Sequence, residues 1–374
     1  VPRPVTIISP LLPPLRGGLA DHTRRLAEGF SRYHPTRVVS SKDAAPLQGV
    51  EVQNVISDWH DGGTLESQLL KTPSDGVFVW QYVPHMYGRG GVNFAISPLI
   101  ARLKAAGRRQ IVIGHEIKAP LYWRPHWFFY GVCHRLYWRR IRRAADAIGI
   151  STEAWLQRWR ADWSDSRAEF FVVPSPSNFP VVSIPPDHSA RWRAGHNLSP
   201  DTRVIAYFGT LSAAKQLDWV LEAWRSANRA GMKTALAVIG ASPELQLEPE
   251  LKPLYRPLGY LDEPSVSEAL QAVNLLALPF VDGASERRTT ITAGLAHGTP
   301  ILTTIGPSTG TTLRGANFLK AVRSETPSAF AEAATGLLDN ASELNRLGIA
   351  AKEAYRRDYS WDVVIDRLRK HIPD

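Results

Sequence analysis

Cysteine is nearly absent from this sequence: Cys133 is the one thiol in 374 residues. That excludes an intramolecular disulfide and a cysteine-based zinc site, and it fits a reducing compartment. Long apolar runs are missing as well, and nothing approaches the roughly 20 residues that a bilayer-crossing helix needs. The opening residues Val1 to Pro10 enter a β-branched run without the layout of a signal peptide, so a cytoplasmic location is expected. There is no Asp-x-Asp pair to ligate a divalent ion and no Gly-x-Gly-x-x-Gly dinucleotide fingerprint. Internal repeats and low-complexity blocks are also lacking.

What is there suits a globular protein with a substantial core: 44% apolar residues and 21% charged ones. The length predicts two domains. The formal net charge of +9 favours anionic partners such as nucleotide phosphates or anionic lipid. Nucleic acid is not expected, because no zinc finger, RNP-type strand or basic arm accompanies the charge.

Along the chain, short apolar runs alternate with helix-spaced segments. Val5 to Ser9 reads as a strand, followed by a loop ending Gly17-Gly18 and a helix with Leu19, Thr23, Leu26, Ala27 and Phe30 on one face. The glycine pair lets a ligand approach backbone N–H groups, or makes a plain tight turn. Strands follow at Thr36–Ser40, Gly76–Val83, Gln110–Gly114 and Ala147–Ser151, with a helix at Ile96–Ala106. His115-Glu116 sits just past a strand end, where parallel sheets place ligands. His115 can meet a sugar hydroxyl or move a proton, or it can cap a loop. Glu116 is either its partner or solvated.

Residues 172–186 hold Pro174, Pro176, Pro180, Pro185 and Pro186 among serines, a hinge composition. A second α/β run follows, with strands at Arg203–Leu211 and Thr234–Ile239, a helix at Leu217–Ala230, a strand-to-loop passage at Leu258-Gly259, and a mostly helical tail. The spacing thus predicts two doubly wound Rossmann-like domains, 1–180 and 181–355, with a last helix at 356–374 packing back on the first domain.

Leu278 to Thr304 concentrates the oddest charges. It reads as strand, loop, helix and strand, with Asp282, Gly283 and Ser285 marking the loop. Thr289 and Thr290 are candidate caps, and Gly298 is the stop. Arg287 and Arg288 fall at the helix N-terminus, whose dipole already presents positive charge. Either an anion such as phosphate joins them there, or they point into water, or one pairs with Glu286. A second unusual stretch, 121–145, carries six arginines and three tryptophans and no acid. That composition fits an interfacial helix against anionic lipid at the inner membrane surface, or a core helix with a basic outer face.

Four pieces in order resemble GT-B-fold glycosyltransferases of the family 4 type. Pro13 to His22 is similar to that family's glycine loop, and Ile111-Val-Ile-Gly-His-Glu116 to its histidine-bearing strand. Phe208-Gly-Thr-Leu-Ser-Ala-Ala-Lys215 is similar to its Gly-Arg-Leu-x-x-x-Lys element, and Pro279 to Thr304 to its donor segment. The resemblance spans nearly the whole chain. It implies two domains facing across a cleft, with the acceptor on the N-terminal side and a nucleotide-sugar (UDP-, GDP- or ADP-sugar) on the C-terminal side. Sugar would pass, with retention and no required metal or other cofactor, to a hydroxyl on a glycan, lipid-linked carrier or small molecule.

Carried over residue by residue, His115 would contact the donor sugar, and Lys215 would neutralise the diphosphate beside Gly209 and Thr210. Gly17 and Gly18 would present N–H groups. Gly259 and Tyr260 would border the base. Ser285, Glu286, Arg287, Arg288, Thr289 and Thr290 would line the donor segment, with Glu286 in the catalytic set beside His115 and Lys215. Two departures stand out. The family's paired glutamates fall on Ser285 and Ala293, of which Glu286 can replace only the first by a one-residue shift. The family's arginine before Leu211 is Thr210, for which Arg287 or Arg288 can compensate. The departures leave a second reading open, a non-catalytic binding or scaffold protein on the same fold.

Overall fold

The computed structural model describes residues 2–15, 17–119, 121, 123–160, 163–323 and 326–373. Arg16 of the glycine loop, Tyr122 of the aromatic-basic stretch and Asp374 of the tail lie outside them. The chain divides into two compact units, Val1–Ser175 with Trp361–Asp374, and Pro176–Ser360. The sequence placed both boundaries about five residues away, and local packing explains the difference. Phe179, still inside the proline-rich run, already packs on Phe208 of the second unit, ring centroids 5.4 Å apart. At the far end, helix Ala341–Ala354 continues through one π turn, Tyr355–Tyr359, before the backbone becomes extended at Ser360.

The first unit is a seven-stranded sheet in the order β3-β2-β1-β4-β5-β6-β7. Its strands are β1 (Val5–Ile8), β2 (Thr36–Ser41), β3 (Glu51–Ile56), β4 (Val77–Tyr82), β5 (Arg109–Gly114), β6 (Ala147–Ile150) and β7 (Glu169–Val172). The second is a six-stranded sheet in the order β10-β9-β8-β11-β12-β13. Its strands are β8 (Arg203–Phe208), β9 (Thr234–Ile239), β10 (Tyr255–Gly259), β11 (Leu275–Leu278), β12 (Ile301–Thr304) and β13 (Lys320–Val322). Neighbouring strands are parallel in both sheets, for example β4 with β5 and β8 with β9.

Parallel sheets covered by helices on both faces need strands that are apolar on both sides. The central strands meet that demand by alternation. Phe78, Trp80 and Tyr82 of β4 point into one core while Val77 and Val79 point into the other. In β8, Val204, Ala206 and Phe208 face one core and Ile205 and Tyr207 the opposite one. The expected pair of doubly wound α/β sheets is therefore present. The last helix, Trp361–Arg369, lies in the first unit, where Val364, Ile365 and Leu368 bury against helix Gly18–Ser31 and Arg32 pairs with Asp362 at 2.8 Å.

Candidate functional site

In each sheet one pair of adjacent strands sends its connections in opposite directions, leaving a crevice beyond the carboxyl ends. In the second unit that pair is β8 and β11. Gly209 leaves β8 with φ +109, and a Cβ there would lie 2.1 Å from Nζ of Lys215 and 3.2 Å from the Thr290 methyl. Only a glycine lets the lysine and the helix start approach so closely. Lys215 Nζ donates to the Phe208 carbonyl at 3.2 Å, and its backbone bridges to Phe280. Burial, with help from Arg288, lowers the Lys215 pKa to about 8.

Phe280 also carries the Arg288 guanidinium, 4.5 Å above its ring centroid. Lys215 and Arg288 are thus neighbours at the mouth of helix Thr289–His297. Arg288 is itself the N-cap, with no side-chain cap bond, so Thr289 and Thr290 lie inside the first turn and are not the caps expected. Gly298 ends the helix in the left-handed conformation, as its sequence position suggested.

The charge conflict at this helix start has an internal answer that the sequence reading overlooked. Asp282, taken there only as a loop residue, bonds Arg288 through Oδ1 and meets Arg287 at 3.3 Å through Oδ2. Ser308 Oγ donates to the same carboxylate at 2.9 Å. Burial pushes Asp282 up, but Arg288, Ser308 and Arg287 outweigh it and hold the carboxyl below its usual value. The loop cannot drift, because the Ser308 N–H donates to the Asp282 carbonyl at 2.8 Å and the Ala284 N–H to that of Thr304 at 2.8 Å. Ser285 and Glu286 are buried in this loop, and Ser285 Oγ finds no partner among the described residues.

Gly259 adjoins the same group through Gly240. The Gly240 N–H donates to the Gly259 carbonyl at 2.7 Å, and a Cβ on Gly240 would stand 3.2 Å from the Gly209 backbone. Tyr260 is 78% exposed. Thr210 is exposed, and its carbonyl accepts from the Tyr207 hydroxyl at 2.9 Å.

In the first unit the corresponding strands are β1 and β4. Gly17, with φ +147, precedes helix Gly18–Ser31, and its carbonyl accepts from the Asp21 N–H at 3.2 Å. One turn into that helix, His22 is buried and meets His115 edge-on, ring centroids 4.7 Å apart. His115 follows β5, its N–H held by the Tyr82 carbonyl at 3.1 Å. Its ring bonds through Nε2 to Gln81, not to the exposed Glu116 considered as a partner. Burial lowers the His115 pKa to about 4, and burial with His115 takes His22 well below the ordinary value. Both rings are neutral at neutral pH. Gln81, His22 and Trp361, whose ring lies 4.9 Å from that of His22, are further additions to the residues singled out by sequence.

Residues 202–340 match the family described as glycosyl transferases group 1. This stretch is a glycosyl transferases group 1 domain, and the whole chain has the GT-B fold of two Rossmann-like units. Among solved structures, WaaG, a glycosyltransferase involved in lipopolysaccharide biosynthesis, superposes with a TM-score of 0.65 at 16% identity, over 98% of this chain and 99% of its own. Sucrose-phosphate synthase from Thermosynechococcus elongatus gives 0.72 at 14% identity over 98% of each chain. Anabaena HepE, in complex with UDP and glucose, gives 0.68 at 12% identity over 98% of each chain. No curated protein sequence matches. The matched span contains Gly209, Lys215, Asp282, Arg287 and Arg288, whereas His22, Gln81 and His115 precede it.

Proposed function

We propose that the transferase takes a UDP-, GDP- or ADP-sugar as donor and passes the sugar to an acceptor hydroxyl with retention. One observation carries this: Lys215 and Arg288 meet at the start of helix Thr289–His297, beside a glycine at a strand end. Cations joined to a helix N-terminus fit a diphosphate, whose charge grows as the bond to the sugar breaks. Lys215 and the arginines stabilise that leaving group without a metal. Gly259 and Tyr260 border the base, Ser285 and Glu286 line the sugar side, and His115 receives a sugar hydroxyl. Gly17 and Gly18 offer backbone N–H groups to the substrates. The second unit holds the donor and the first the acceptor. UDP–glucose bound to HepE and UDP-2-fluoro glucose bound to an E. coli trehalose-6-phosphate protein, another structural neighbour, support the donor class. Mass spectrometry of slow donor hydrolysis across a nucleotide-sugar panel, paired with thermal shift by UDP, GDP and ADP, tests the reading. Hydrolysis of none and a shift with none would remove it.

The partner side of the proposal concerns helix Pro125–Ala144. No helix among the described residues is long and apolar enough to cross a membrane. This one buries Cys133, Tyr137, Trp138 and Ile141. Outward it shows Phe128 and Phe129, each 52% exposed, with Trp123 fully exposed just ahead of it. At its other end one carboxylate, Asp165, faces Arg142, Arg143 at 2.7 Å and Arg139 at 3.6 Å, which leaves positive charge uncompensated. Aromatics at one end and surplus guanidinium at the other suit the headgroup region of an anionic bilayer, so the transferase works in the cytoplasm at the inner membrane surface. Co-sedimentation with phosphatidylglycerol vesicles, but not with phosphatidylcholine vesicles, is expected, and its loss in Trp123→Ser/Phe128→Ser would confirm the face.

A further inference from the structure

Behind His115 runs a short buried chain of hydrogen bonds. Gln81 lies on β4, fully buried, with its carbonyl held by the Tyr87 hydroxyl at 2.7 Å. Its side-chain amide serves two imidazoles at once. Oε1 faces Nε2 of His115, and Nε2 faces Nδ1 of His22 at 3.2 Å. An amide has one accepting end and one donating end, so the two rings cannot choose tautomers independently. With the amide oriented this way, His115 carries its proton on Nε2, and His22 leaves Nδ1 bare and carries its own on Nε2.

The His22 ring is packed between the rings of His115 and Trp361. Its Nε2 is buried without a partner among the described residues, a cost the fold bears to keep the ring in place. His115 is half-buried, and its Nδ1 bonds to no described residue.

We propose that Gln81 is a positioning residue that locks His115 in the Nε2–H tautomer, so that Nδ1 is presented as a hydrogen-bond acceptor to a substrate hydroxyl. A ring free to switch tautomer would offer a donor half of the time and bind the same hydroxyl through its oxygen in the wrong orientation. The lock is a property of the free protein. Its catalytic consequence rests on the reading that His115 meets the sugar.

The test uses the full chain labelled with 15N and long-range proton–nitrogen correlation spectra at pH 7.5, with His22→Asn and His115→Asn to assign the signals. In the wild type, Nδ1 of both rings should resonate as bare nitrogen. Gln81→Leu should turn His115 into a tautomer mixture. Gln81→Glu, whose carboxylate accepts from both rings, should move a proton onto Nδ1 of His22 and leave His115 unchanged. In donor hydrolysis with the most readily cleaved nucleotide sugar, Gln81→Leu should lose about tenfold in kcat with KM little changed.

A wild-type spectrum with Nε2 of His115 bare would overturn the proposal, and so would Gln81→Leu with unchanged tautomers or unchanged kcat. If Gln81→Leu does not fold, the wild-type and Gln81→Glu spectra decide. Because the spectra need no donor, a failed lock and a failed transferase reading are told apart.

Discussion

Replacing Gly209 by alanine tests the proposed diphosphate site at its tightest point. The backbone there has φ +109, where an L side chain costs about 1–3 kcal/mol of strain. The new methyl would stand 2.1 Å from Lys215 Nζ, closer than any real contact. The ammonium is the far end of a flexible chain, so it is what moves, giving up its bond to the Phe208 carbonyl and its place beside Arg288. Losing one charge-assisted bond to a phosphate removes about 1.5–3 kcal/mol. At about 1.4 kcal/mol per decade, that is roughly ten- to a hundredfold in nucleotide affinity. Isothermal titration with whichever of UDP, GDP and ADP stabilises the wild type reads the loss. Lys215→Met should show the same weakening without the backbone strain. The double variant should lose little more than the larger single one, because both act through one ammonium. A folded Gly209→Ala protein with unchanged affinity, or losses that simply add, would refute the reasoning.

Four further outcomes follow from the same coordinates. Gly336, inside helix Pro327–Leu338 with open space where a Cβ would go, should accept alanine and gain about 0.5–1 kcal/mol, seen as a higher urea midpoint. Lys215, lowered to about 8, binds fewer protons folded than unfolded between pH 8 and its ordinary 10.5, so its penalty is full below pH 8 and fades as pH rises to 10.5. A bound diphosphate restores its proton, so nucleotide affinity should fall from pH 7 to 9 in the wild type but not in Lys215→Met, measured by titration calorimetry. Asp282, held low by Arg288, Ser308 and Arg287, contributes stability above its unfolded pKa near 3.8 and loses it as acid takes the pH through the folded value. Asp282→Asn should therefore flatten the acid limb of the denaturation curve. Ile365→Ala, at a fully buried position of the last helix, should cost about 2–5 kcal/mol, read by chemical denaturation.

The sequence was most readable where a strand or helix satisfied one strong rule. β9 was expected over Thr234–Ile239 and spans those residues, because six consecutive apolar or small side chains have only a two-faced sheet to bury in. β3 went unread: an edge strand whose exposed positions are Glu51, Asn54 and Val55, with polar Gln53 between them, carries almost no apolar signal. The site divides in the same way. Lys215 and Gly209 stand out because glycine at a strand end followed by lysine is a local pattern. Asp282 and Gln81 do not. Asp282 reaches Arg287 and Arg288 from a loop that Ser308, twenty-six residues away, holds in place, and Gln81 matters through His22, fifty-nine residues away; no spacing rule reaches that far. A glutamine inside a buried strand was the available signal: a fully buried amide has to bond to something, and the search for its partners would have led to both histidines.

The two clusters resolve opposite electrostatic problems. In the first unit, burial strips charge from both imidazoles, and a neutral amide then dictates where each remaining proton sits. In the second, burial cannot neutralise guanidinium groups, so the fold sets the Asp282 carboxylate against Arg287 and Arg288 and pins its loop by backbone bonds, with Lys215 beside Arg288. Burial first, and then the nearby Arg288, makes Lys215 hold its proton less tightly than an ordinary lysine. A site whose own cations repel one another, set against a helix N-terminus that adds to the repulsion, is relaxed by a multiply charged anion more than by a single charge. On the proposed reading, this arrangement takes a diphosphate in preference to a monophosphate, and a departing nucleoside diphosphate in preference to the nucleotide sugar it came from.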